Sequence, residues 1–298
     1  MTTCNCNEMI TTIKNIVKNY NCACCIKSQP VPNKQKIALL FGLNYIGTTS
    51  ALGGCINDVE NMGKMLKDKY NYDKITILTD NTDDKPTKSN MLKFLNSFIN
   101  ESKNCEKAYF HYSGHGSYII DKNNDELDGK DECLIPLDYN KTGFIIDDEL
   151  KVIFNQIKCK LTVVIDACHS ATVLDLKHRV DCISLNLTSK VKDTEDYLYQ
   201  DWSYEFKLTQ NAKYNENKNI LMISGCRDNE TSSDAFINNK YQGALTYHFC
   251  KALELNDYNV KIKYLLKDIH CMLLLGNFDQ KPVLSSGTSI NLDEKFIL

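Results

Sequence analysis

Apolar runs alternate along the chain with amphipathic stretches. The apolar runs predict buried strands at 37–43, 74–80, 107–112, 161–165, 219–225 and 281–287. Between them, apolar positions recur every three or four residues and predict helices at 57–70, 88–102, 147–157 and 241–255, with Ser89 as a candidate N-cap. Strands that alternate with helices predict parallel strand–helix–strand units, and therefore an α/β fold with helices on both faces of the sheet.

Segments outside this alternation indicate how the chain is divided. Residues 1–35 are rich in cysteine and end in "SQPVPNKQ", so we expect a flexible arm and linker. Residues 36–298 carry the predicted strands and helices and form one domain. Within it, the polar stretch 181–218 has weak periodicity and predicts a long loop that separates 36–180 from 219–298.

The composition is that of an ordinary globular protein, with 298 residues, 43% hydrophobic residues and a net charge of −3. Because the charge is small, we expect no nucleic-acid partner and no membrane partner. No apolar run approaches the roughly 20 residues that cross a bilayer, and the first residues lack the apolar core of a secretory signal. We therefore expect a cytoplasmic protein.

Fourteen cysteines are many for this length, and five of them crowd into the first 25 residues. These are Cys4, Cys6, Cys22, Cys24 and Cys25. Their C-x-C and C-x-C-C spacings differ from the usual C-x₂-C of zinc sites, which favours a thiol-rich arm over bound zinc. In a reducing compartment, the other cysteines are expected to be mostly free thiols.

Two predicted strands end in residues that suggest chemistry. The strand at 107–112 runs into "SGHG", which contains His115, and the strand at 161–165 runs into "DACHS", which contains Cys168. The carboxyl ends of parallel strands meet at one edge of a sheet, and the separation of 53 residues leaves room for a crossover helix. A cysteine beside an imidazole is the arrangement for covalent catalysis, since the thiolate attacks a carbonyl.

Each of these residues also has an ordinary structural interpretation. A lone cysteine after a buried strand is more often inert core, and a lone histidine is more often a polar residue with its hydrogen bonds satisfied. Their occurrence together, with glycines around one and an acid near the other, favours a catalytic pair. Gly116 allows close backbone approach, and its amide is a candidate oxyanion donor. His169 is a rival base, but we expect its side chain to point elsewhere.

Several segments together resemble the metacaspases, a family of caspase-like cysteine peptidases. "HYSGHGS" and "DACHS" occur at the separation of about fifty residues that caspase-type peptidases show. The segments "ALGGCINDVENM", "DGKDECLIPLDY", "IIDDEL" and "ISGCRDNETSSDA" match in the same order. The resemblance runs from about residue 36 to 290, and the short central loop is similar to that of the simpler metacaspases.

The resemblance implies a caspase-like α/β sandwich with one mixed, mostly parallel sheet. It implies an endopeptidase in which Cys168 attacks the peptide carbonyl, His115 moves the proton, and the amides of Gly116 and Cys168 hold the oxyanion. The expected partners are proteins or peptides with arginine or lysine before the scissile bond. The family is generally monomeric, so we expect a monomer, and self-cleavage at basic residues is a further expectation.

The resemblance also assigns a pocket for the basic side chain of the substrate. Asp58 and Asp166 correspond to its floor and wall, and Ser113 and Cys55 line it. Two carboxylates in one pocket repel each other and favour a cation between them, which agrees with bound arginine or lysine. The ordinary interpretation of Asp58 is an acid at the N-terminal end of a helix.

A calcium site is a further implication of the resemblance. Its aspartates correspond to Asp131, Asp147, Asp148 and Asp175. Carboxylates are the hard oxygen ligands that Ca²⁺ prefers, and Asp175 follows Cys168 by seven residues, so calcium would order the loop beside the nucleophile. The ordinary interpretation is that Asp147 and Asp148 begin a helix and that Asp131 is solvated.

One residue departs from the family pattern, and two other functions stay open. Ala171 follows "DACHS" where the family has glycine, and alanine is strained wherever a positive φ is needed. An asparagine-specific peptidase or ligase would share the dyad. A scaffold or aggregate-binding protein would keep the fold without the chemistry, although the presence of both Cys168 and His115 favours an enzyme.

Overall fold

The computed structural model describes residues 34–121, 129–170, 172–184, 204–211, 214–225, 234–237 and 239–298. Most of the predicted N-terminal arm, including the five cysteines considered for zinc, lies outside these residues, and so does Ala171. Gln35–Leu298 form one compact unit by themselves.

Thirteen strands and six helices lie in the described residues. The strands are β1 (Gln35–Gly42), β2 (Lys74–Thr79), β3 (Cys105–Ser113), β4 (Gly116–Ile120), β5 (Lys130–Leu134), β6 (Ile145–Ile146), β7 (Lys160–Asp166), β8 (His178–Ser184), β9 (Tyr204–Gln210), β10 (Ile220–Ser224), β11 (Asp234–Ile237), β12 (Lys240–Gly243) and β13 (Val283–Ser286). The helices are α1 (Cys55–Tyr70), α2 (Lys88–Ser102), α3 (Tyr139–Thr142), α4 (Asp147–Phe154), α5 (Ala244–Leu255) and α6 (Ile262–Leu275).

Eight of these strands form one mixed sheet in the order β2–β1–β3–β7–β10–β13–β8–β9. The first five are parallel to their neighbours, whereas β13, β8 and β9 join antiparallel. Strands β1, β3 and β7 are buried along most of their length, as expected of parallel strands covered on both faces. The predicted mixed, mostly parallel sheet is confirmed.

Each face of the main sheet is covered by its own helices. On one face α2 and α4 contribute to a buried cluster that includes Phe154 and Phe110. On the other face α1, α5 and α6 contribute to a cluster that includes Phe249 and Tyr109. Tyr109 and Phe110 are neighbours in β3, so the two cores follow from the alternation of side chains along a strand. Within the described part of the chain, no helix is long and apolar enough to cross a membrane.

Two smaller sheets were not predicted. Strands β4, β5 and β6 form a three-stranded sheet, and β11 and β12 form a hairpin. These strands have two to five residues each, too few for a clear alternation. Residues 241–243, predicted as the start of a helix, belong to β12, and α5 begins at Ala244. Helix α6 was also missed, although its apolar residues at 262, 265, 266 and 269 have helical spacing.

The stretch 181–218 is not one long loop, which corrects the prediction. Strand β8 extends to Ser184, and β9 pairs with it antiparallel along its whole length. Strand β9 lies at the edge of the sheet and is largely exposed, and its sequence "YEFKLTQ" alternates apolar with polar residues, a period-two signal that the prediction missed. Residues 185–203 and 212–213 of this stretch lie outside the described residues.

Helix α2 begins at a different cap from the one predicted. The residue with extended backbone before the first turn is Thr87, and its hydroxyl accepts a hydrogen bond from the Asn90 amide at 3.3 Å. Ser89 lies inside the helix and is exposed. Thr87 therefore satisfies one of the amides that the first turn leaves unpaired.

We predict that Thr87→Ala lowers the free energy of unfolding by about 1 kcal/mol, because it removes the acceptor for a first-turn amide. Ser89→Ala is the matched control and should change the free energy by less than about 0.5 kcal/mol. Urea denaturation of both variants measures the difference. A larger loss in Ser89→Ala would restore Ser89 as the cap.

Candidate active site

Strands β3 and β7 bring the predicted histidine and cysteine to one edge of the sheet. The strands are parallel neighbours, and their last registered pair is Ser113 with Asp166. His115 and Cys168 each follow this pair by two residues. Beyond the ladder, the Gly114 amide donates to the Asp166 carbonyl at 3.3 Å. The register of the sheet therefore sets the two loops side by side.

The glycine after His115 is needed for this close approach. A Cβ atom on Gly116 would lie 2.1 Å from the Cys168 carbonyl oxygen and 3.1 Å from the Cβ of Ala167. Any side chain at this position would push the cysteine loop away from the histidine loop. Gly116 also begins β4, whose pairing with β5 holds the loop in place.

Two buried tyrosines hold the main chain of His115. Its amide donates to the Tyr45 hydroxyl at 3.0 Å, and its carbonyl accepts from the Tyr112 hydroxyl at 2.7 Å. The Tyr45 ring also packs against the imidazole, with the ring centroids 4.6 Å apart. Burial raises the pKa of both tyrosines, so their hydroxyls stay protonated. This frame restricts the orientation of the imidazole.

The tautomer of His115 follows from its contact with Ser50. The Nε2 atom lies 2.7 Å from the Ser50 carbonyl oxygen. A carbonyl only accepts, so Nε2 carries a proton and Nδ1 is the basic nitrogen of the neutral ring. The loop that carries Ser50 is held by the Asp80 carboxylate, which accepts from the amides of Asn44 and Ile46 at 2.7 and 2.9 Å.

Cys168 is more accessible than most of the other described cysteines. It is half-buried, whereas the thiols of Cys55, Cys105, Cys133, Cys159, Cys182 and Cys271 are buried. Burial raises the pKa of Cys133 and Cys182 to about 12, which keeps these thiols protonated and unreactive at neutral pH. Cys250 is half-buried as a residue, but burial of its thiol also raises its pKa.

His169, the rival base, is directed toward a different partner. Its backbone adopts a positive φ of 51°, which is uncommon for a residue other than glycine. Its ring packs edge-on against that of Tyr118, with the centroids 5.1 Å apart. This contact gives the His169 ring a packing role on strand β4.

The residues assigned to the substrate pocket lie at the same edge. Cys55 and Asp58 are in the first turn of α1, Ser113 ends β3 and Asp166 ends β7, and all four are buried. A Cβ atom on Gly243 would lie 2.3 Å from an oxygen of Asp166 and 2.6 Å from one of Asp58. The two carboxylates therefore approach the same point, directly before helix α5.

Hydrogen bonds from dipolar groups orient these carboxylates. Asp58 accepts from the Ser113 hydroxyl at 2.6 Å and from the Gly243 amide at 3.0 Å. Asp166 accepts from both the amide and the hydroxyl of Thr246 at 2.8 Å. The Thr246 hydroxyl is also 3.3 Å from Nε2 of His111, and burial lowers the pKa of His111 to about 3, so that imidazole is neutral.

A third carboxylate, to which no role was assigned from the sequence, adjoins this pair. Asp234 in β11 is registered opposite Gly243 in β12, and its Oδ2 accepts from the Gly53 amide at 2.6 Å. Burial, and then the charges of Asp166 and Asp234, raise the pKa of Asp58 well above its ordinary value. Three acids at one place concentrate a negative potential that a basic side chain would relieve.

Comparison with known proteins decides the family. The family described as "Metacaspase, peptidase C14 domain" matches residues 36–177. Metacaspase-1 of Meyerozyma guilliermondii is 32% identical over 305 residues, which cover 89% of this chain and 72% of that protein. Metacaspase-1 of Saccharomyces cerevisiae is 33% identical over 297 residues, which cover 88% of this chain and 68% of that protein. The chain belongs to the metacaspase family of cysteine-type peptidases.

Solved structures agree on the fold of this metacaspase. A protein of Geobacter sulfurreducens matches with a TM-score of 0.58 and 22% identity, over 87% of this chain and 97% of that one. Caspase-1 from Spodoptera frugiperda matches with a TM-score of 0.52 and 13% identity, over 85% of this chain and 87% of that one. At these identities the likeness concerns the fold alone. The predicted caspase-like sandwich is confirmed.

The four aspartates assigned to calcium lie on three elements of the metacaspase fold. Asp131 is in β5, Asp147 and Asp148 begin α4, and Asp175 follows the cysteine loop. Asp147 accepts from the Glu132 amide at 3.1 Å, and the Lys151 ammonium lies 3.1 Å from the fully buried Asp175 carboxylate. Among the described residues, no three His, Cys, Asp or Glu side chains are arranged to hold one metal ion. The donor chemistry suits Ca²⁺, but the arrangement is not that of a complete site.

Several residues that shape the site were not assigned from the sequence. They are Tyr45, Ser50, Asp234, Gly243 and Thr246. Tyr45 and Ser50 follow the predicted strand at 37–43, so the rule that ligands bind beyond the carboxyl ends of strands could have found them. Asp234 lies within the matched segment "ISGCRDNETSSDA". Gly243 and Thr246 reach the pocket only through tertiary contacts and carry no local signal.

We predict that Asp58→Asn changes how stability depends on pH. The pKa of the Asp58 carboxyl is raised in the folded protein. As pH rises above about 4, the carboxyl loses its proton in the unfolded chain but keeps it in the folded one, so the parent becomes less stable. The variant lacks this loss, so its stability relative to the parent should improve between pH 4 and pH 8 by on the order of 1 kcal/mol.

Melting temperatures of the parent and the variant across this pH range measure the effect. Asp83→Asn, at an exposed residue outside the pocket, is the control, and its melting temperature should change with pH as that of the parent does. Parallel profiles for Asp58→Asn and the parent would show that Asp58 carries no raised pKa.

Proposed function

We propose that this metacaspase hydrolyses peptide bonds on the carboxyl side of arginine or lysine. The observation that carries the proposal is the approach of the buried Asp58 and Asp166 carboxylates to one point at Gly243, beside the strand ends that lead to Cys168 and His115. Buried like charges favour a bound cation, which relieves their repulsion. An arginine would engage two carboxylates through its planar fork, and a lysine would act as a single point charge.

The proposed reaction begins when Cys168 Sγ transfers its proton to His115 Nδ1, while the Ser50 carbonyl supports the imidazolium through Nε2. The thiolate attacks the scissile carbonyl carbon, and the π electrons move onto the oxygen. The amides of Gly116 and Cys168 are the proposed donors to this oxyanion. Its collapse breaks the C–N bond, and the Nδ1 proton passes to the leaving amine. Water then adds to the thioester, His115 takes its proton, and the sulfur leaves as the thiolate.

We predict that fluorogenic peptides with arginine or lysine before the scissile bond are cleaved, and that matched peptides with aspartate or asparagine are not. Cys168→Ala should abolish cleavage. Asp58→Asn should lower kcat/KM for the arginine peptide by about 100-fold, because the cation loses one of its two proposed carboxylate partners. Glu60→Gln, exposed on the same helix, is the control and should keep the parent rate.

The same assay separates the proposal from its alternatives. Cleavage after asparagine alone would favour the asparagine-specific relative. A thiol-reactive peptide ending in arginine should label Cys168 of an enzyme before the buried Cys133 or Cys271, whose raised pKa values make them slow to react. Labelling that does not favour Cys168, together with no cleavage, would favour the scaffold.

Dependence on calcium is part of the proposal. The candidate ligands are Asp131, Asp147, Asp148 and Asp175, and bound calcium would supply positive charge that neutralises them. Support comes from their donor chemistry and from the position of Asp175 seven residues after Cys168. Since the Lys151 ammonium is already 3.1 Å from Asp175, calcium and Lys151 would compete for that carboxylate.

We predict that Lys151→Met lowers the calcium concentration needed for half-maximal stabilisation by roughly threefold or more, because a competing charge of modest energy is removed. Thermal unfolding of the chain carrying Cys168→Ala measures this shift without self-cleavage. Lys158→Met, at an exposed residue beyond α4, is the control. No effect of calcium on either the melting temperature or the activity would reject the four-aspartate site.

Self-cleavage, a monomeric state and a cytoplasmic location remain parts of the proposal. The candidate cleavage sites are basic residues in or near the stretch 181–218. Among them, Arg179 and Lys207 lie in the paired strands β8 and β9, which engage their main chain. Lys190 and Lys192, between those strands, lie outside the described residues. Mass spectrometry of the active chain and of Cys168→Ala would identify the cleaved bond, and light scattering would give the oligomeric state.

A further inference from the structure

A row of lysines lies where the parallel strands begin, at the end of the sheet opposite His115 and Cys168. At the starts of the parallel strands, Lys36 in β1 is registered with Lys107 in β3, and Lys107 is registered with Lys160 in β7. Registered residues on parallel neighbours project to the same face of the sheet. Like charges directly opposite each other are destabilising. The row therefore lowers stability unless another group compensates its charge.

A cavity of about 280 Å³ opens beside this row. Its basic lining residues are Lys107, Lys160, Lys218 and Lys295. Glu294 is the acidic residue of the lining, and Thr288 and Ser289 add hydroxyl groups. Basic side chains of the lining therefore outnumber acidic ones by four to one.

The hydrogen bonds of these lysines go to main-chain oxygens. Lys107 Nζ lies 3.5 Å from an oxygen of Leu298, the last residue of the sequence, which would be negatively charged as a terminal carboxylate, and Lys160 Nζ lies 3.4 Å from the carbonyl oxygen of Lys218. Within the described part of the chain, none of the four cavity lysines forms an ion pair with an Asp or Glu side chain. Burial, and then the charge of Lys36, lower the pKa of Lys107. Acidic side chains of the described residues therefore compensate little of the positive charge at this end of the sheet.

We propose that this cavity binds a ligand with linked phosphate groups, as in inorganic triphosphate or the phosphate chain of a nucleotide. Each lysine ammonium offers three N–H donors, and lysine binds phosphate as a point charge. A singly charged anion would leave most of this positive charge uncompensated, whereas a chain of linked phosphates can contact several ammonium groups at once. The volume, near the lower limit for small-molecule sites, suits a phosphate chain.

The proposed site is separate from the substrate pocket. From Lys107 to Ser113, β3 advances six residues, or roughly 20 Å at the rise of a strand. The phosphate ligand and the peptide substrate would thus occupy opposite edges of one sheet. The proposal stands independently of the peptidase specificity proposed above.

Calorimetry and thermal unfolding of the full chain carrying Cys168→Ala, which prevents self-cleavage, test the proposal. The probes are sodium triphosphate, ATP and sodium sulfate at matched ionic strength, without divalent ions. We expect triphosphate to bind saturably and to raise the melting temperature, and sulfate to do neither, because a ligand bound to the folded state stabilises it. Tighter binding of ATP than of triphosphate would identify a nucleotide as the source, and equal binding would show that the phosphate chain alone is recognised.

The double variant Lys107→Gln/Lys160→Gln should weaken triphosphate binding at least tenfold. The matched control is Lys67→Gln/Lys93→Gln, at two exposed lysines on α1 and α2 that do not line the cavity. Equal affinity in the two double variants, or no binding by the parent, would overturn the proposal. A second measurement uses the chain in which these lysines are unchanged. There, triphosphate should protect Lys160 and Lys218 from an amine-acylating reagent. Absence of protection would overturn the proposal even if the double variant failed to fold.

Discussion

The registered pairing of β3 with β7 fixes the positions of both the active site and the row of lysines. The ladder runs from Lys107 with Lys160 to Ser113 with Asp166. At the carboxyl ends it sets the histidine and cysteine loops side by side, and at the amino ends it lines up the lysines. A slip of one residue would turn every side chain to the opposite face, so the two buried cores hold the register.

The carboxylates that meet at Gly243 are held in an unfavourable electrostatic environment. Burial and mutual repulsion raise the pKa of Asp58, which means that the empty pocket disfavours the charged form that would bind a cation. The donors are serine, threonine and main-chain groups, which orient the carboxylates without supplying a positive charge. Such an arrangement costs folding free energy, and the proposed basic side chain of a substrate would recover part of it on binding.

Much of the fold was predictable because buried parallel strands are continuous apolar runs in the sequence. In helices α1, α2 and α4, the apolar residues recur with the helical period. The prediction was wrong where local signals are weak. Edge strand β9 was missed because its alternating residues are few and lie within the polar stretch 181–218, and β4, β5, β6, β11 and β12 are too short to show alternation. The N-cap of α2 was misplaced by two residues because Ser89 and Thr87 are both favourable cap types.

The α/β class, the polar residues at the strand ends and the resemblance to metacaspases could all be found in the sequence, because apolar period, strand-end polarity and motif order are local properties of the chain. Other features became visible only in the folded chain. They are the tautomer of His115, the need for glycine at 116 and 243, the third carboxylate at Asp234 and the pairing of Lys151 with Asp175. These features depend on atoms that are far apart in the chain and meet across elements. Hydrogen bonds and steric contacts act over a few ångströms of space, regardless of separation along the sequence.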